Sequence, residues 1–289
     1  AKNIDADLVL ATDPDADRVG IAAKNVNHEF ELLNGNQTAA LLIYYLLTQW
    51  KEKGQLKGQE YIVKTIVTTE LISAIAAHFN VTCLDTLTGF KYIAEKIRQL
   101  ESTQTFIGGG EESYGYLIGD QVRDKDAVMS CAIIAELTAW AKDQDKTLFD
   151  VLLDIWIRFG LYHDGLISIT KKGKAGAQEI QQIMKTLRNT PPIFLNDILV
   201  TDIIDYSNLT HLETKTKKIL PLDSHKSNVL QFITEDGSRI SIRPSGTEPK
   251  IKIYFSVYSS LQSKSELKEK KDQLDTLISK LSKSLLKHF

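Results

Sequence analysis

The sequence predicts an α/β protein of several domains, in which a mostly parallel, mixed sheet is followed by a small α+β domain. Three observations favour this class. Strands and amphipathic helices alternate as far as residue 160, and this alternation stops near Leu161, where short strands and polar turns take over. A chain of 289 residues is also long for one hydrophobic core. In such folds ligands bind at loops beyond the carboxyl ends of the strands.

The first elements are an apolar strand at 8–12 and strands at 19–23 and 29–33, the last two joined by a turn at 25–28. Asn34-Gly35-Asn36-Gln37 then begins a helix whose apolar residues follow the 3.6-residue period and which ends by Gly54. The chain lacks an initial Met and opens on a strand without the partners that should precede it. We therefore expect the C-terminal part of a longer polypeptide.

A second α/β pattern follows. Its predicted strands are 61–67, 81–84 and 105–107, and its predicted helices are 70–79, 90–100, 127–142 and 147–160. After residue 160 we predict strands at 162–170, 228–234, 239–242 and 251–257, and helices at 175–188 and 264–287. These patterns divide the chain into three predicted domains, at 1–54, 55–160 and 161–289.

The composition excludes several classes of function. A hydrophobic fraction of 43%, 25% charged residues and a net charge of −2 indicate no nucleic-acid partner and no anionic membrane surface. The longest apolar run, 39–47, is far shorter than the roughly 20 residues that span a bilayer, and from the opening residues we expect no signal peptide. Cys83 and Cys131 are too few for a disulfide framework, which favours free thiols and a cytoplasmic location.

The segment Asp13-Pro14-Asp15-Ala16-Asp17-Arg18 predicts a metal site after the first strand. Three alternate carboxylates offer hard oxygen ligands, which favours Mg²⁺ completed by water and substrate phosphate. An EF-hand is excluded, since it needs Gly and Glu where this chain has Arg18 and Lys24. An aspartyl-phosphate phosphatase and a solvated acidic turn remain as alternatives.

Two further loops follow predicted strands. Gly108-Gly109-Gly110-Glu111-Glu112-Ser113-Tyr114-Gly115 combines backbone freedom with groups that suit sugar hydroxyls, although a plain Gly-rich connection has the same composition. Thr88-Gly89-Phe90-Lys91 is a weaker pattern, typical also of a helix start. Arg123-Asp124-Lys125-Asp126 precedes the helix at 127–142 and is typical of a charged first turn.

A phosphate-binding loop is predicted at Arg243-Pro244-Ser245-Gly246-Thr247. Arg243 offers a planar fork of donors, Ser245 and Thr247 offer hydroxyls, and Gly246 allows successive backbone N–H groups to bind an anion. A Pro/Gly hairpin turn is the alternative. The Lys171-Lys172-Gly173-Lys174 cluster is interpreted as a solvated turn.

Three of these segments resemble, in sequence and order, the motifs of the α-D-phosphohexomutases, the phosphoglucomutase/phosphomannomutase family. They are the Asp-rich loop, Gly110-Glu111-Glu112-Ser113 and the 243–247 loop. The resemblance implies domains similar to the family's second, third and fourth. It also implies metal ligands Asp13, Asp15 and Asp17 and catalytic roles for Arg18 and Lys91. The implied substrate-binding residues are Gly89, Lys91, Glu111, Ser113, Lys125, Arg243, Ser245, Gly246 and Thr247.

The resemblance further implies interconversion of glucose 1-phosphate and glucose 6-phosphate through a phosphoserine and glucose 1,6-bisphosphate, with Mg²⁺ as cofactor. The family's serine motif is missing here, because Ser224-His225-Lys226 lacks the flanking residues and lies after the metal loop. We therefore expect the chain to be inactive without its N-terminal domains. Phosphomannomutase or phosphopentomutase activity, and a non-catalytic sugar-phosphate binding module, are the alternatives.

Overall fold

The computed structural model describes residues 1–25, 27–246 and 248–289. The chain divides into two compact units. The first contains Ala1–Gly160 and Ser260–Lys264, and the second contains Leu161–Ser259 and Ser265–Phe289.

The first unit opens with a small antiparallel sheet of three strands. These are β1 (Leu8–Thr12), β2 (Val19–Lys24) and β3 (Phe30–Leu33), with β2 in the middle. Alternate residues of β2 are buried, which explains why the sequence pattern located this strand correctly. The predicted turn at 25–28 contains Val26, which lies outside the described residues.

Helix α1 (Gly35–Glu52) begins where the sequence predicts it. The Asn34 side chain accepts a hydrogen bond from the Gln37 amide, and the Gln37 side chain accepts one from the Asn34 amide, both at 2.9 Å. This capping box satisfies two backbone donors that a helix start leaves unpaired, and such a cap contributes about 1 kcal/mol.

The other elements of the first unit are β4 (Glu60–Thr65), α2 (Leu71–His78), β5 (Thr82–Thr86), α3 (Phe90–Leu100), β6 (Thr105–Gly110), β7 (Tyr116–Ile118), α4 (Ala127–Lys142) and α5 (Leu148–Phe159). Their sheet has the order β5-β4-β6-β7. Strand β4 pairs in parallel with β5 and β6, and β7 pairs antiparallel with β6, which confirms the predicted mixed α/β class.

A hydrophobic core joins this sheet to helix α3. Tyr61, Val63 and Phe106 from the sheet pack with Phe90, Ile93 and Ile97 of the helix, and all are at most 5% exposed. Each buried side chain of this size contributes roughly 1.5–3 kcal/mol through loss of water contact. The first residue of the helix, Phe90, is part of this core and follows the loop at 87–89 in the chain.

The structure corrects three predicted boundaries near the ligand loops. Strand β4 ends at Thr65 rather than at residue 67, and β5 runs on to Thr86 rather than ending at residue 84. The glycines 108–110, predicted to be loop, are the last residues of β6. A Cβ on Gly109 would lie 2.2 Å from the carbonyl oxygen of Val63, so glycine permits a close approach of two strands. Strand β7 was not predicted.

The second unit is an antiparallel sheet with two helices. Its elements are β8 (Leu161–Thr170), α6 (Gly173–Asn189), β9 (Phe194–Leu195), β10 (Ile198–Asp205), β11 (Thr210–Glu213), β12 (Lys218–Pro221), β13 (Leu230–Thr234), β14 (Arg239–Pro244), β15 (Lys250–Ser259) and α7 (Leu267–Leu286). The main strand order is β12-β11-β10-β13-β14-β15-β8, and β9 pairs with β10. Helix α7 packs on β15 and β8, and α6 packs on β15. This is the predicted α+β arrangement.

Among the described residues, we find no helix with the length and apolar character needed to cross a bilayer.

Candidate active site

Three carboxylates converge in the loop between β1 and β2. Asp13, Asp15 and Asp17 each place one oxygen so that these oxygens all lie within 4.8 Å of one another. Asp15 is exposed and the other two are half-buried. This spacing is compatible with one cation bridging all three, since oxygen ligands lie about 2–2.6 Å from Mg²⁺ or Ca²⁺.

The loop's own backbone fixes Asp13. Its Oδ1 accepts hydrogen bonds from the amides of Asp17 and Arg18, each at 3.1 Å. Partial burial raises the pKa of Asp13, but these backbone bonds outweigh it, so the pKa lies below its usual value. Ala16, with φ of 53°, closes the turn and donates its amide to the Asp13 carbonyl at 3.0 Å. Asp13 is therefore held as a carboxylate in a defined orientation.

Asp17 lies between two cationic side chains. Lys125 Nζ is 2.9 Å from Asp17 Oδ2, and Arg18 Nε is 3.7 Å from Asp17 Oδ1. The Arg18 distance is too long for a hydrogen bond, and Oδ1 of Asp17 is a buried atom that has no hydrogen-bond partner among the described residues. A buried carboxylate oxygen without a donor is unfavourable, which suits the additional presence of a cation.

Lys125 connects the Asp-rich loop at 13–18, called the metal loop below, to the predicted sugar loop at 108–115. Its side-chain carbons lie over Gly115, where an added Cβ would be 2.3 Å from Lys125 Cδ. Its Nζ lies 2.9 Å from Asp124 Oδ1 and 5.4 Å from the centre of the Phe90 ring. Burial lowers the pKa of Lys125, but the hydrogen bonds to Asp17 and Asp124 raise it by a larger amount. The ammonium therefore stays charged at neutral pH.

Two backbone hydrogen bonds hold the same segments together. The Val19 amide, at the start of β2, donates to the carbonyl of Tyr114 at 3.1 Å. The Ala127 amide, at the start of α4, donates to the carbonyl of Ala16 at 3.2 Å. The metal loop, the sugar loop and the first turn of α4 therefore form one connected region of the first unit.

The sugar loop is anchored through Glu111, which is 8% exposed. Its Oε1 accepts the amide of Gly89 at 2.7 Å, and its own amide donates to the Gly115 carbonyl at 2.9 Å. Gly89 has φ of 115°, a conformation that favours glycine. The structure thus brings Glu111 and Gly89 into contact, although the predicted role of Glu111 toward sugar hydroxyls stays a prediction.

Ser113 and Lys91 lie at the accessible side of these loops. Ser113 is half-buried, and Lys91 is exposed with its Nζ 4.8 Å from the centre of the Tyr92 ring. Phe90, the neighbour of Lys91, is the residue whose ring lies beneath the Lys125 ammonium. Arg18 and Lys91 are accessible to solvent, whereas the Lys125 side chain is mostly buried.

The predicted phosphate loop lies in the second unit, between β14 and β15. Arg243 is paired with Lys252 across these strands, and the Ser245 amide donates to the Lys250 carbonyl at 2.7 Å. Gly246 is exposed, its φ lies outside the left-handed region, and a Cβ there would meet no atom within 4 Å. Thr247 lies outside the described residues.

Several residues behind these loops were not singled out from the sequence. Lys64 is completely buried and pairs with Glu70 and Asp85, while Thr65 and Thr68 contact Glu112. The available signal was a lysine inside the apolar run Tyr61-Ile62-Val63-Lys64-Thr65-Ile66-Val67. A charged residue in a central strand indicates a buried partner.

Comparison with known families agrees with this arrangement. A sequence model described as phosphoglucomutase/phosphomannomutase, alpha/beta/alpha domain III, matches residues 34–159. A second, described as the phosphoglucomutase/phosphomannomutase C-terminal domain, matches residues 169–274. The two matches follow each other in chain order and account for most of the sequence. The chain belongs to the phosphoglucomutase/phosphomannomutase family.

Curated relatives include phosphoglucomutase from Staphylococcus aureus, which is 41% identical over 254 residues. That alignment covers 87% of this chain and 45% of the relative, so the chain spans less than half the length of the relative.

Solved structures with the same fold include parafusin, a phosphoglucomutase from Paramecium, with a TM-score of 0.67, 19% identity and coverage of 98% of this chain and 46% of that one. A putative phosphomannomutase from Thermus thermophilus gives a TM-score of 0.57 at 18% identity, with 97% and 45% coverage. A variant of N-acetylphosphoglucosamine mutase from Aspergillus fumigatus, solved in complex with glucose 1,6-bisphosphate, gives 0.52 at 13% identity, with 96% and 48% coverage.

Proposed function

We propose that this chain is the metal- and sugar-binding part of a phosphoglucomutase that interconverts glucose 1-phosphate and glucose 6-phosphate. One observation carries the proposal: three carboxylates converge on one point in a loop that Lys125 and the Val19–Tyr114 hydrogen bond join to the loop that carries Glu111 and Ser113. A bound cation and a sugar hydroxyl would then be neighbours, as phosphoryl transfer to a sugar requires.

Asp13, Asp15 and Asp17 would hold Mg²⁺. The donor set consists of carboxylate oxygens, which Mg²⁺ prefers, and Asp17 Oδ1 accepts no hydrogen bond from the described residues that a cation would have to replace. When bound, the ion would neutralise charge on a transferring phosphoryl group. Asp13 contributes a carboxylate already oriented by two backbone amides.

The cationic side chains would orient the phosphosugar. Arg18, which is half-exposed beside Asp17, offers a planar fork to phosphate oxygens. Lys91 and Lys125 add charge on the side of the Gly89 loop. Glu111 and Ser113 would hold neighbouring hexose hydroxyls, since a carboxylate accepts and a serine hydroxyl both donates and accepts.

The loop at 243–247 would bind the phosphate that is not being transferred. Arg243 supplies the charge, and the hydroxyl of Ser245 and the open space at Gly246 admit phosphate oxygens close to the backbone. Thr247 has the same proposed role. Charged hydrogen bonds of this kind contribute roughly 1.5–3 kcal/mol each.

In the proposed cycle a phosphoserine outside this chain donates its phosphoryl group to the free hydroxyl of the hexose phosphate. The resulting glucose 1,6-bisphosphate reorients and returns its other phosphoryl group to the serine. The choice of glucose rests on the 41% identity to a phosphoglucomutase. The Aspergillus enzyme was solved with the same bisphosphate. The free thiols Cys83 and Cys131 suit the reducing cytoplasm in which we place the reaction.

The test compares the complete protein with the 289-residue chain. With Mg²⁺ and a trace of glucose 1,6-bisphosphate, the complete protein should convert glucose 1-phosphate, and the chain alone should bind it without turnover because no phosphoserine is present. Faster conversion of mannose 1-phosphate or ribose 1-phosphate would reassign the substrate. Absence of turnover in the folded complete protein would refute the proposed mutase activity. The alternative function, a non-catalytic sugar-phosphate binding module, would then remain.

A further inference from the structure

A fully buried lysine lies behind the sugar loop at 108–115 and the neighbouring loop at 87–89, which together are called the two sugar loops below. Lys64 is the penultimate residue of β4, the strand between β5 and β6, and its side chain is 0% exposed. Its Nζ lies 2.9 Å from Glu70 Oε1, 2.8 Å from Asp85 Oδ1 and 3.4 Å from the carbonyl oxygen of Thr68. A lysine ammonium has three hydrogens, so these three acceptors can take all of them.

Lys64 remains a cation despite its burial. Removal from water lowers the pKa of Lys64, but the charges of Asp85 and Glu70 raise it by more. The side chain cannot reach substrate, because none of it is exposed. Its effect must pass through its three acceptors.

Two of the three acceptors, Thr68 and Glu70, lie in the turn at 66–70 that follows β4. The Oγ1 atoms of Thr65 and Thr68 lie 2.8 Å from each other, and each lies 3.4 Å from Glu112 Oε2. Glu112 stands between Glu111 and Ser113, the two residues proposed to hold hexose hydroxyls. The position of this turn therefore determines where Thr68 meets Glu112 of the sugar loop.

The third acceptor, Asp85, lies near the end of β5. The chain continues from there through Leu87 to Gly89, whose amide donates to Glu111 at 2.7 Å. The Ile66 amide also donates to the Thr86 carbonyl at 2.9 Å, so the turn and the end of β5 lie side by side. One ammonium thus connects the supports of both sugar loops.

We propose that Lys64 is a positioning residue of the phosphosugar site, which fixes the turn at 66–70 against the end of β5 and so sets the spacing between Gly89, Glu111 and Ser113. This inference rests on the function proposed above. Small displacements of groups that bind a substrate lower its affinity and rate steeply. A residue that only stabilised the fold would affect melting temperature without affecting substrate binding.

The test is Lys64→Met in the complete protein, with Glu60→Gln as the matched control. Glu60 is 6% exposed and lies at the opposite end of β4, where its carboxylate accepts the amides of Lys57 and Gly58. Both variants should melt at lower temperature. At a temperature where each is fully folded, Lys64→Met should raise KM for glucose 1-phosphate at least tenfold, while Glu60→Gln should stay within twofold of the parent.

A second variant covers the case in which Lys64→Met does not fold, since that change leaves two carboxylates without their cation. Lys64→Met combined with Glu70→Gln and Asp85→Asn removes all three charges and should fold. It should retain a KM raised at least fivefold, because the connection between the two loops is still missing. A KM within twofold of the parent in this folded variant would overturn the inference.

A double-mutant cycle with Glu112→Gln separates positioning from a general loss of stability. If Lys64 acts through the turn that supports Glu112, the two effects on KM should combine to less than their product. Full multiplication of the effects would contradict the proposed route. If the parent shows no mutase turnover, the same variants are compared by calorimetric binding of glucose 1-phosphate, where equal affinities in parent and variant would refute the positioning role separately from the mutase.

Discussion

The glycines of the two candidate ligand loops differ in how closely other atoms approach them. In the first unit, a Cβ on Gly110 would lie 2.6 Å from the Gly115 carbonyl oxygen, and one on Gly35 would lie 1.8 Å from the Glu112 carbonyl oxygen. In the second unit, a Cβ on Gly246 would meet no atom within 4 Å. Glycine is therefore required by packing around the sugar loop, whereas at Gly246 no neighbouring atom of the described residues requires it.

This difference indicates two ways of building a binding loop. The sugar loop is held by contacts with α1, β2 and the first turn of α4. If it binds the phosphosugar as proposed, this preorganisation would reduce the cost of binding. The loop at 243–247 carries its donors at the end of a hairpin with open space beside it. Substitutions of glycine should therefore affect folding in the first region and binding in the second.

The largest effect is expected for Gly109→Ala. The added methyl group would lie 2.2 Å from the Val63 carbonyl oxygen in the neighbouring strand, so β4 and β6 must separate. We expect a loss of about 3 kcal/mol in the free energy of unfolding, at the upper end of overpacking effects. Urea denaturation measures it. Gly20→Ala is the control, since its Cβ would be 4.0 Å from the nearest atom, and equal losses in both variants would contradict the packing argument.

Arg243→Ala should leave folding intact and weaken phosphosugar binding by about 2 kcal/mol, the contribution of charged hydrogen bonds. Titration calorimetry of the complete protein with glucose 1-phosphate and glucose 6-phosphate provides the measurement. Arg239→Ala, at the other end of β14, is the matched control and should bind as the parent does. Parent-like affinity in Arg243→Ala would remove this loop from the site.

For the metal site, Asp15→Asn should weaken Mg²⁺ binding at least tenfold, or about 1.4 kcal/mol. Asp15 is exposed, so the free energy of unfolding without metal should change by less than about 0.5 kcal/mol. Asp7→Asn, which removes an exposed partner of Lys142, controls for a general change in charge. Unchanged Mg²⁺ affinity would exclude Asp15 as a ligand.

The smallest overall effect is expected for Gly246→Ala. Because a methyl group there has open space and the backbone is not left-handed, the free energy of unfolding should stay within about 0.5 kcal/mol of the parent. Phosphosugar affinity should fall all the same, because the methyl group occupies the approach to the loop's backbone. Parent-like binding would show that Gly246 does not approach the ligand, and would weaken the contrast between the two loops.

The sequence predicted the elements whose side-chain period is regular. The alternation in β2, the capping box of α1 and the apolar stripes of α1, α3 and α7 come from local rules, and these elements lie close to their predicted ranges. The convergence of Asp13, Asp15 and Asp17 also followed from spacing along a single loop.

The failures concern contacts between distant parts of the chain. Gly108–110 read as a loop because glycine disfavours strands, yet the approach of Val63 makes glycine necessary in β6. The use of Glu111 to anchor Gly89, and of Lys64 to join Glu70 to Asp85, depends on which strands lie side by side. The local sequence pattern does not show which strands are neighbours in the sheet.

The contact between Gly115 and Lys125 has a consequence for evolution. The stem of the lysine occupies the space where a side chain at residue 115 would begin, at 2.3 Å from an added Cβ. An alanine at residue 115 would therefore require a different conformation of the Lys125 side chain. In that conformation the ion pair between Lys125 and Asp17 would be lost. Divergent members of the family should change these two positions together, which would make the pair a covariation signal linking the sugar loop to the metal loop.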